Sequence, residues 1–408
     1  MSEVVNIPQL RFPEFNGEWE EKALGVVATI TTGSTPSTSN NEYYDGDVAF
    51  VSPADIQGNR IVRSTKTTIT ELGLSVVREI KKRSTLFVCI GSTIGKVSQA
   101  GVNCATNQQI NALTAKNSFD NDFIYSLLEF KAPRIKLLAG VQAVPQINKS
   151  EFSRFKFTFP LLPEQQKIAA FLTAVDNKIE QLSKKQELLG EYKKGLMQQI
   201  FSQAIRFKAS DGSDFPDWEE KKLGGVVDNV GGTALEKYTN PKETHKFISI
   251  GNYGVDGKYI DNGQRVELNN KTKTKLLDKD NLVMVLNDKT AAGNIVGSTI
   301  LIDESDSYIY NQRSERLICK SELFPIFAWH YLNSKIFRKS VYSISQGGTQ
   351  IYVNFPSVKE LNFSLPSLLE QTKIANFLSS IDTKIEQVGK QLDESKQFKK
   401  ALLQQMFV

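Results

Sequence analysis

At 408 residues the chain is too long for one ordinary hydrophobic core, so two or more domains are expected. A composition of 40% hydrophobic and 23% charged residues excludes a disordered chain, and a net charge of +5 permits a polyanionic partner without demanding one. No apolar run approaches the length of a membrane span, and the start, MSEVVNIPQLRFPEF, lacks the basic region and apolar core of a secretory signal. Three widely spaced cysteines, Cys89, Cys104 and Cys319, suit a reducing cytoplasm and read as small buried residues rather than ligands.

In chain order, FPEFNGEWEEKALG opens at Phe12, followed by short β-rich runs, VAFVS, TLFVCI and FKFTFP, among Gly, Asn and Asp turns. DFIYSLLEF is a helical patch between them. The segment LPEQQKIAAFLTAVDNKIEQL then starts at Leu162. After it the chain repeats the scheme: FPDWEEKKLG from Phe215, with Trp218 matching Trp19, then the strand-like KFISI, NLVMVL and STILI and the helical FAWHYLNSKIF. It closes on LLEQTKIANFLSSIDTKIEQV from Leu368. Residues 164–201 align with 370–407 at one constant offset, with half of the positions identical. Between the anchors the halves diverge, so the chain reads as variable domain, long helix, variable domain, long helix, each domain α+β.

The repeated segments carry a helical stripe. Pro163-Glu164 places a proline near the first helical position and a carboxylate at the positive end of the dipole. Apolar positions alternate steps of four and three: Ile168, Leu172, Val175, Ile179 and Leu182, continuing through Gln186, Leu189, Lys193, Leu196 and Ile200. The copy runs Ile374, Leu378, Ile381, Ile385, Val388, Leu392, Ser395, Lys399, Leu402 and Met406. This is a heptad seam. An amphipathic helix lying on its own domain would show a similar stripe, but two seams of equal length in one chain are natural partners. The polar seam residues would lower stability while fixing register. One such helix is about 57 Å long, or roughly 17 base pairs of B-DNA.

Catalytic constellations are missing. GSTIGKV from Gly91 has three residues between its glycines and Val97 after the lysine, which does not make a phosphate loop. His245 and His330 lack metal-ligand spacing and read as surface or packing residues. Asp382 and Lys384 read as part of a solvated helix face, and no adenine-methyltransferase signature occurs. What remains is surface suited to nucleic acid. Arg60, Arg63 and Lys66 cluster, as do Lys81, Lys82 and Arg83, and Lys271, Lys273, Lys275 and Lys279. Lysine and arginine can neutralise phosphates, while Asn, Gln and Arg can pair with base edges.

The whole pattern resembles the DNA-specificity (S) subunit of type I restriction–modification systems. The resemblance rests on the paired LPEQQKIAAFL and LLEQTKIANFL segments, on GSTP from Gly33, on GSTIGK followed by TNQQINAL, and on GVQAVPQIN and QGGTQIYVN before each helix. It implies an α+β fold of two pseudo-repeated target-recognition domains, residues 1–160 and 206–366, separated and joined by long helices, 161–205 and 367–408, as an antiparallel coiled coil. It also implies that each domain reads one half of a bipartite, asymmetric DNA site. The coil would set the spacing and recruit two methyltransferase (M) subunits, with restriction (R) subunits joining. The chain itself would bind no cofactor. S-adenosylmethionine for adenine N6 methylation, and ATP and Mg for cleavage, would belong to the partner subunits.

The DNA contacts are accordingly expected among Ser34, Thr35, Arg60, Arg63, Lys81, Lys82, Lys96, Gln108, Gln142 and Gln146 in the first domain. In the second they are expected among Lys271, Lys273, Lys275, Gln312, Arg313, Gln346 and Gln350. The coil and docking surface is expected at Glu164, Gln165, Ile168, Leu172, Val175 and Ile179 with Glu370, Gln371, Ile374, Leu378, Ile381 and Ile385. The competing reading is a non-catalytic coiled-coil scaffold that binds proteins or other ligands.

Overall fold

A computed structural model describes residues 6–139 and 145–408. The strand-like runs of the sequence become strands. VAFV ends the strand Tyr44–Val51, TLFV is Thr85–Val88 and LVMV is Leu282–Val285. The last two are buried at every position, because each sits inside a sheet covered on both faces. FAWHYLNSKIF divides into two helices, Pro325–Leu332 and Lys335–Ser343, since the Ser334 hydroxyl accepts from the Phe337 amide and starts a new turn.

The chain forms two compact units, Met1–Lys185 with Val388–Val408, and Gln186–Gln387. Each unit therefore takes half of the central helix, Leu162–Phe201, and half of the C-terminal helix, Leu368–Met406. This division cuts both helices rather than ending where they begin, because each half-helix completes the core of the domain beside it.

The first unit holds a five-stranded sheet in the order Ala28–Thr32, Ile110–Ala115, Thr85–Val88, Val97–Ala100, Ile61–Val62. A three-stranded sheet, Thr67–Ile69, Tyr44–Val51 and Cys104–Thr106, contains one parallel pair. The second unit repeats the plan with a four-stranded sheet, Val227–Gly231, Ser314–Cys319, Leu282–Val285, Thr299–Leu301. Its three-stranded sheet, Arg265–Val266, His245–Ile248 and Tyr308–Tyr310, again has one parallel pair. In each, a small antiparallel ribbon seats the strand before the long helix: Glu20–Ala23 with Lys156–Phe159, and Glu219–Lys222 with Asn362–Leu365.

In the first unit Ile168 and Leu172, early in the central helix, share a core with Leu402 and Met406, late in the C-terminal helix. In the second, Ile200 and Phe201 share a core with Ile374 and Leu378. Beginning meets end in both, so the helices run antiparallel. Every position of both seams is buried or half-buried, which is the heptad register read from the sequence. Among the described residues no helix is long and apolar enough to cross a membrane. Cys89 and Cys104 are buried, and burial pushes both thiols up to about 12.

Candidate nucleic-acid interface

The turns carrying the repeated motifs gather along one edge of each unit, held by equivalent backbone hydrogen bonds. In the first, the Gly33 amide donates to the Ile110 carbonyl (3.0 Å), Asn107 to Val51 (3.1 Å), Cys89 to Gln109 (2.8 Å) and Ile147 to Cys89 (2.9 Å). In the second, Gly232 donates to Ser314 (3.0 Å), Asn311 to Ile248 (3.1 Å), Leu286 to Arg313 (2.9 Å) and Val353 to Leu286 (2.9 Å). The glycine pairs close the turns between neighbouring strands. Gly91 and Gly95 have φ of 92° and 90°, and Gly293 and Gly297 have 60° and 75°, a region open to glycine. A Cβ on Gly297 would also stand 2.8 Å from Val341. GSTIGK is thus a turn between strands and opens no helix, so it cradles no phosphate in the manner of a P-loop.

On the first edge the structure brings together Ser34, Thr35, Lys96, Gln108 and Gln146. Thr35 donates its hydroxyl hydrogen to Gln108 (2.8 Å), Gln108 and Gln146 are exposed, and Lys96 Nζ lies 3.4 Å from the Pro53 carbonyl. Gln142 lies outside the described residues. On the second edge Gln312 and Arg313 are exposed, Tyr352 donates to Gln346 Oε1 (3.1 Å), and Lys275 Nζ reaches the Gly231 carbonyl (2.6 Å). Gln350 is exposed on the turn between Gln346 and Tyr352, and Lys271 and Lys273 are exposed on the turn that carries Lys275.

Four basic residues are elsewhere. Lys81 and Lys82 are exposed beside the start of the strand Cys104–Thr106, where Ile80 bridges Cys104, at the end away from Asn107. Arg60, expected to face a polyanion, requires correction, whereas Arg63 stays 61% exposed. The Arg60 side chain is 8% exposed and pairs with Asp122 and Asp176 (2.9 Å each), over the ring of Tyr125. Arg63 pairs with Glu180 of the central helix (2.6 Å). Carboxylates of this unit's own helices thus occupy Arg60.

The repeated polar pair at each helix start also turns inward, which corrects its assignment to an exposed docking surface. Glu164 is 3% exposed and accepts from Arg11 at both oxygens (2.7 and 2.8 Å) and from the Trp19 indole (3.3 Å). Glu370, at 0%, accepts from Arg206 (2.8 Å) and from Trp218 (3.0 Å). Gln165 and Gln371 accept from the amides of Asp120 and Phe324, the residues just before the helices Asn121–Leu138 and Pro325–Leu332, and each donates to the proline carbonyl five residues back. The repetition of Trp and Glu is therefore a fastening of helix to domain, made twice.

Of the apolar residues expected at the coil and docking surface, Ile168, Leu172, Ile374, Leu378 and Ile381 are buried, and Val175, Ile179 and Ile385 are half-buried, all within the units along the seam. Asp382, read as solvated, is 9% exposed and accepts both bonds of Lys193 (2.7 Å each). Its equivalent Asp176 pairs with Lys399 (2.6 Å). Sequence reasoning missed these pairs because the acid and the lysine lie in different repeats; the lysines at apolar seam positions were the available signal.

A family model described as the type I restriction modification DNA specificity domain matches residues 16–189 and again 216–394. The MjaVIII type I specificity subunit of Methanocaldococcus jannaschii is 27% identical over 403 residues, covering 97% of this chain and 92% of its own. The StySPI subunit of Salmonella potsdam is 20% identical, covering 92% and 85%. The crystal structure of the S subunit from M. genitalium superposes with a TM-score of 0.64 at 18% identity, covering 98% and 99% of the two chains, and shows the shared fold. The duplicated edge, the antiparallel helices and the doubled match agree, and this chain belongs to the type I restriction–modification DNA specificity family, as a specificity subunit.

Proposed function

We propose that each unit reads one half of a bipartite, asymmetric DNA site, and that the antiparallel helices set the unread gap between the halves. The observation that carries this is the pair of edges built on equivalent backbone bonds but lined by different side chains. Main-chain geometry is shared, so a similar approach to DNA is possible twice, while the differing side chains meet different base edges. Exposed Gln108 and Gln146 on one edge, and Gln312 and Arg313 on the other, are the base-reading candidates. Lys96 on the first edge and Lys271 and Lys273 on the second supply phosphate contacts.

Two methyltransferase subunits would dock on the outward faces of the repeated helices. There Tyr192 and Phe398, at equivalent positions of the two copies, are 56% and 54% exposed. An aromatic side chain left half in water at matching places is the kind of residue that anchors an interface. Those subunits would bring S-adenosylmethionine and methylate adenine at N6, and restriction subunits would bring ATP and Mg for cleavage, all in the cytoplasm with the DNA. The chain contributes position rather than chemistry, as a specificity subunit does.

Exchange of residues 1–160 for the corresponding domain of another specificity subunit tests this. Methylation mapping in the host should show one half-site changed and the other kept. A change in both halves would overturn the assignment.

A further inference from the structure

On the edge of the second unit lies an open pocket of about 530 Å³ whose floor holds an unexpected group, the carboxylate of Glu315. Glu315 is 7% exposed, on the strand Ser314–Cys319 at the middle of the four-stranded sheet. Among the described residues its hydrogen-bond partner is Asn229, which donates to Oε1 (2.5 Å). Burial holds its carboxyl above the usual range, partly offset by that bond and by the charges of Lys275 and Lys359. Gln312, Asn287, Tyr352 and Asn354 line the pocket around it.

The first unit shows what this position looks like when closed. Asn111 is the equivalent residue there: NQQIN at 107–111 matches NQRSE at 311–315, and both residues pair with the last residue of the neighbouring strand. Asn111 accepts from the Thr32 hydroxyl (2.6 Å) and donates to Cys89 Sγ (3.1 Å), so both its carbonyl and its amino group have a partner. In the second unit Gly231 stands where Thr32 is, and Leu286 where Cys89 is. Neither side chain can hydrogen-bond. Oε2 of Glu315 thereby receives no bond from either of these positions, in a residue that lines the pocket, at a cost in desolvation that packing alone does not require.

We infer that Glu315, with Gln312 at the rim, reads one base of the second half-site that carries an exocyclic amino group, cytosine or adenine. A carboxylate accepts from cytosine N4 or adenine N6, whereas guanine and thymine present oxygen there and are repelled. This rests on the reading that the second unit recognises one half-site, and the test separates the two.

The full chain, assembled with the subunits that purify with it, is measured for binding to duplexes of its mapped site, changed one base at a time. The wild type should lose about tenfold in affinity when one A or C of the second half-site becomes G or T. Glu315→Gln, which can both donate and accept, should largely erase that preference at this one position. Gln312→Ala, an exposed change that spares the fold, should weaken the preference at the same position. A wild type indifferent to the whole second half-site overturns the underlying two-half reading. A wild type that discriminates, with both variants showing the same profile, overturns the role of Glu315. So does a uniform loss over all sequences, or a change in the first half-site.

Discussion

His330 shows how an unremarkable residue in sequence acquires a physical role. It is 1% exposed, its Nε2 stands 4.0 Å from Asp382 and 3.5 Å from Ser379 Oγ, and burial holds its pKa well below the ordinary value, with Lys193 and Lys258 adding to the effect. The folded chain therefore keeps the imidazole neutral, while the unfolded chain takes up a proton below about pH 6.5. More protons are then bound by the unfolded state, so stability is lost as pH falls through that value, by up to about 1.4 kcal/mol per pH unit. His330→Gln should flatten this part of the profile. Urea unfolding at pH 7, 6 and 5 checks it, and parallel curves for the two proteins would refute it. The sequence allowed a packing role for this histidine. Its neighbours were illegible, because Asp382 and Lys193 reach it only through the fold.

Among the elements, the long helices were the most readable, since their period and doubled length are local properties. The lysines on their seam were legible as anomalies but not as pairs. Lys399 bonds Asp176 (2.6 Å) and Glu129, in a group that also holds Arg60 and Tyr125. Lys399→Ala should leave the buried Asp176 and the half-buried Glu129 without their lysine and destabilise the first unit by about 3 kcal/mol. Adding Asp176→Asn should recover part of that loss. Denaturant unfolding of the single and double variants measures the coupling, and strictly additive losses would show that the pair does not interact.

For the whole molecule, the test of the spacer proposal is length. One heptad inserted after Ser183 and another after Gly389 keeps both seams in register and adds about 10 Å of helix. The unread gap of the DNA site should lengthen by roughly 3 base pairs with both half-sites unchanged. Methylation mapping reads this directly, and an unchanged gap would refute the spacer role. By itself the sequence determined the duplication, the strand runs, the heptad register and the family, because each is written in neighbouring residues or in copies of them. Only tertiary structure decided that Arg60 belongs to the helix rather than to DNA, and that Glu164 and Glu370 fasten domains instead of facing a partner. It also decided that Glu315 lines an open pocket while Asn111 is bonded to Thr32 and Cys89. Those outcomes depend on which carboxylate, indole or hydroxyl the fold brings within about 3 Å, and burial then sets the cost of leaving a charge without one.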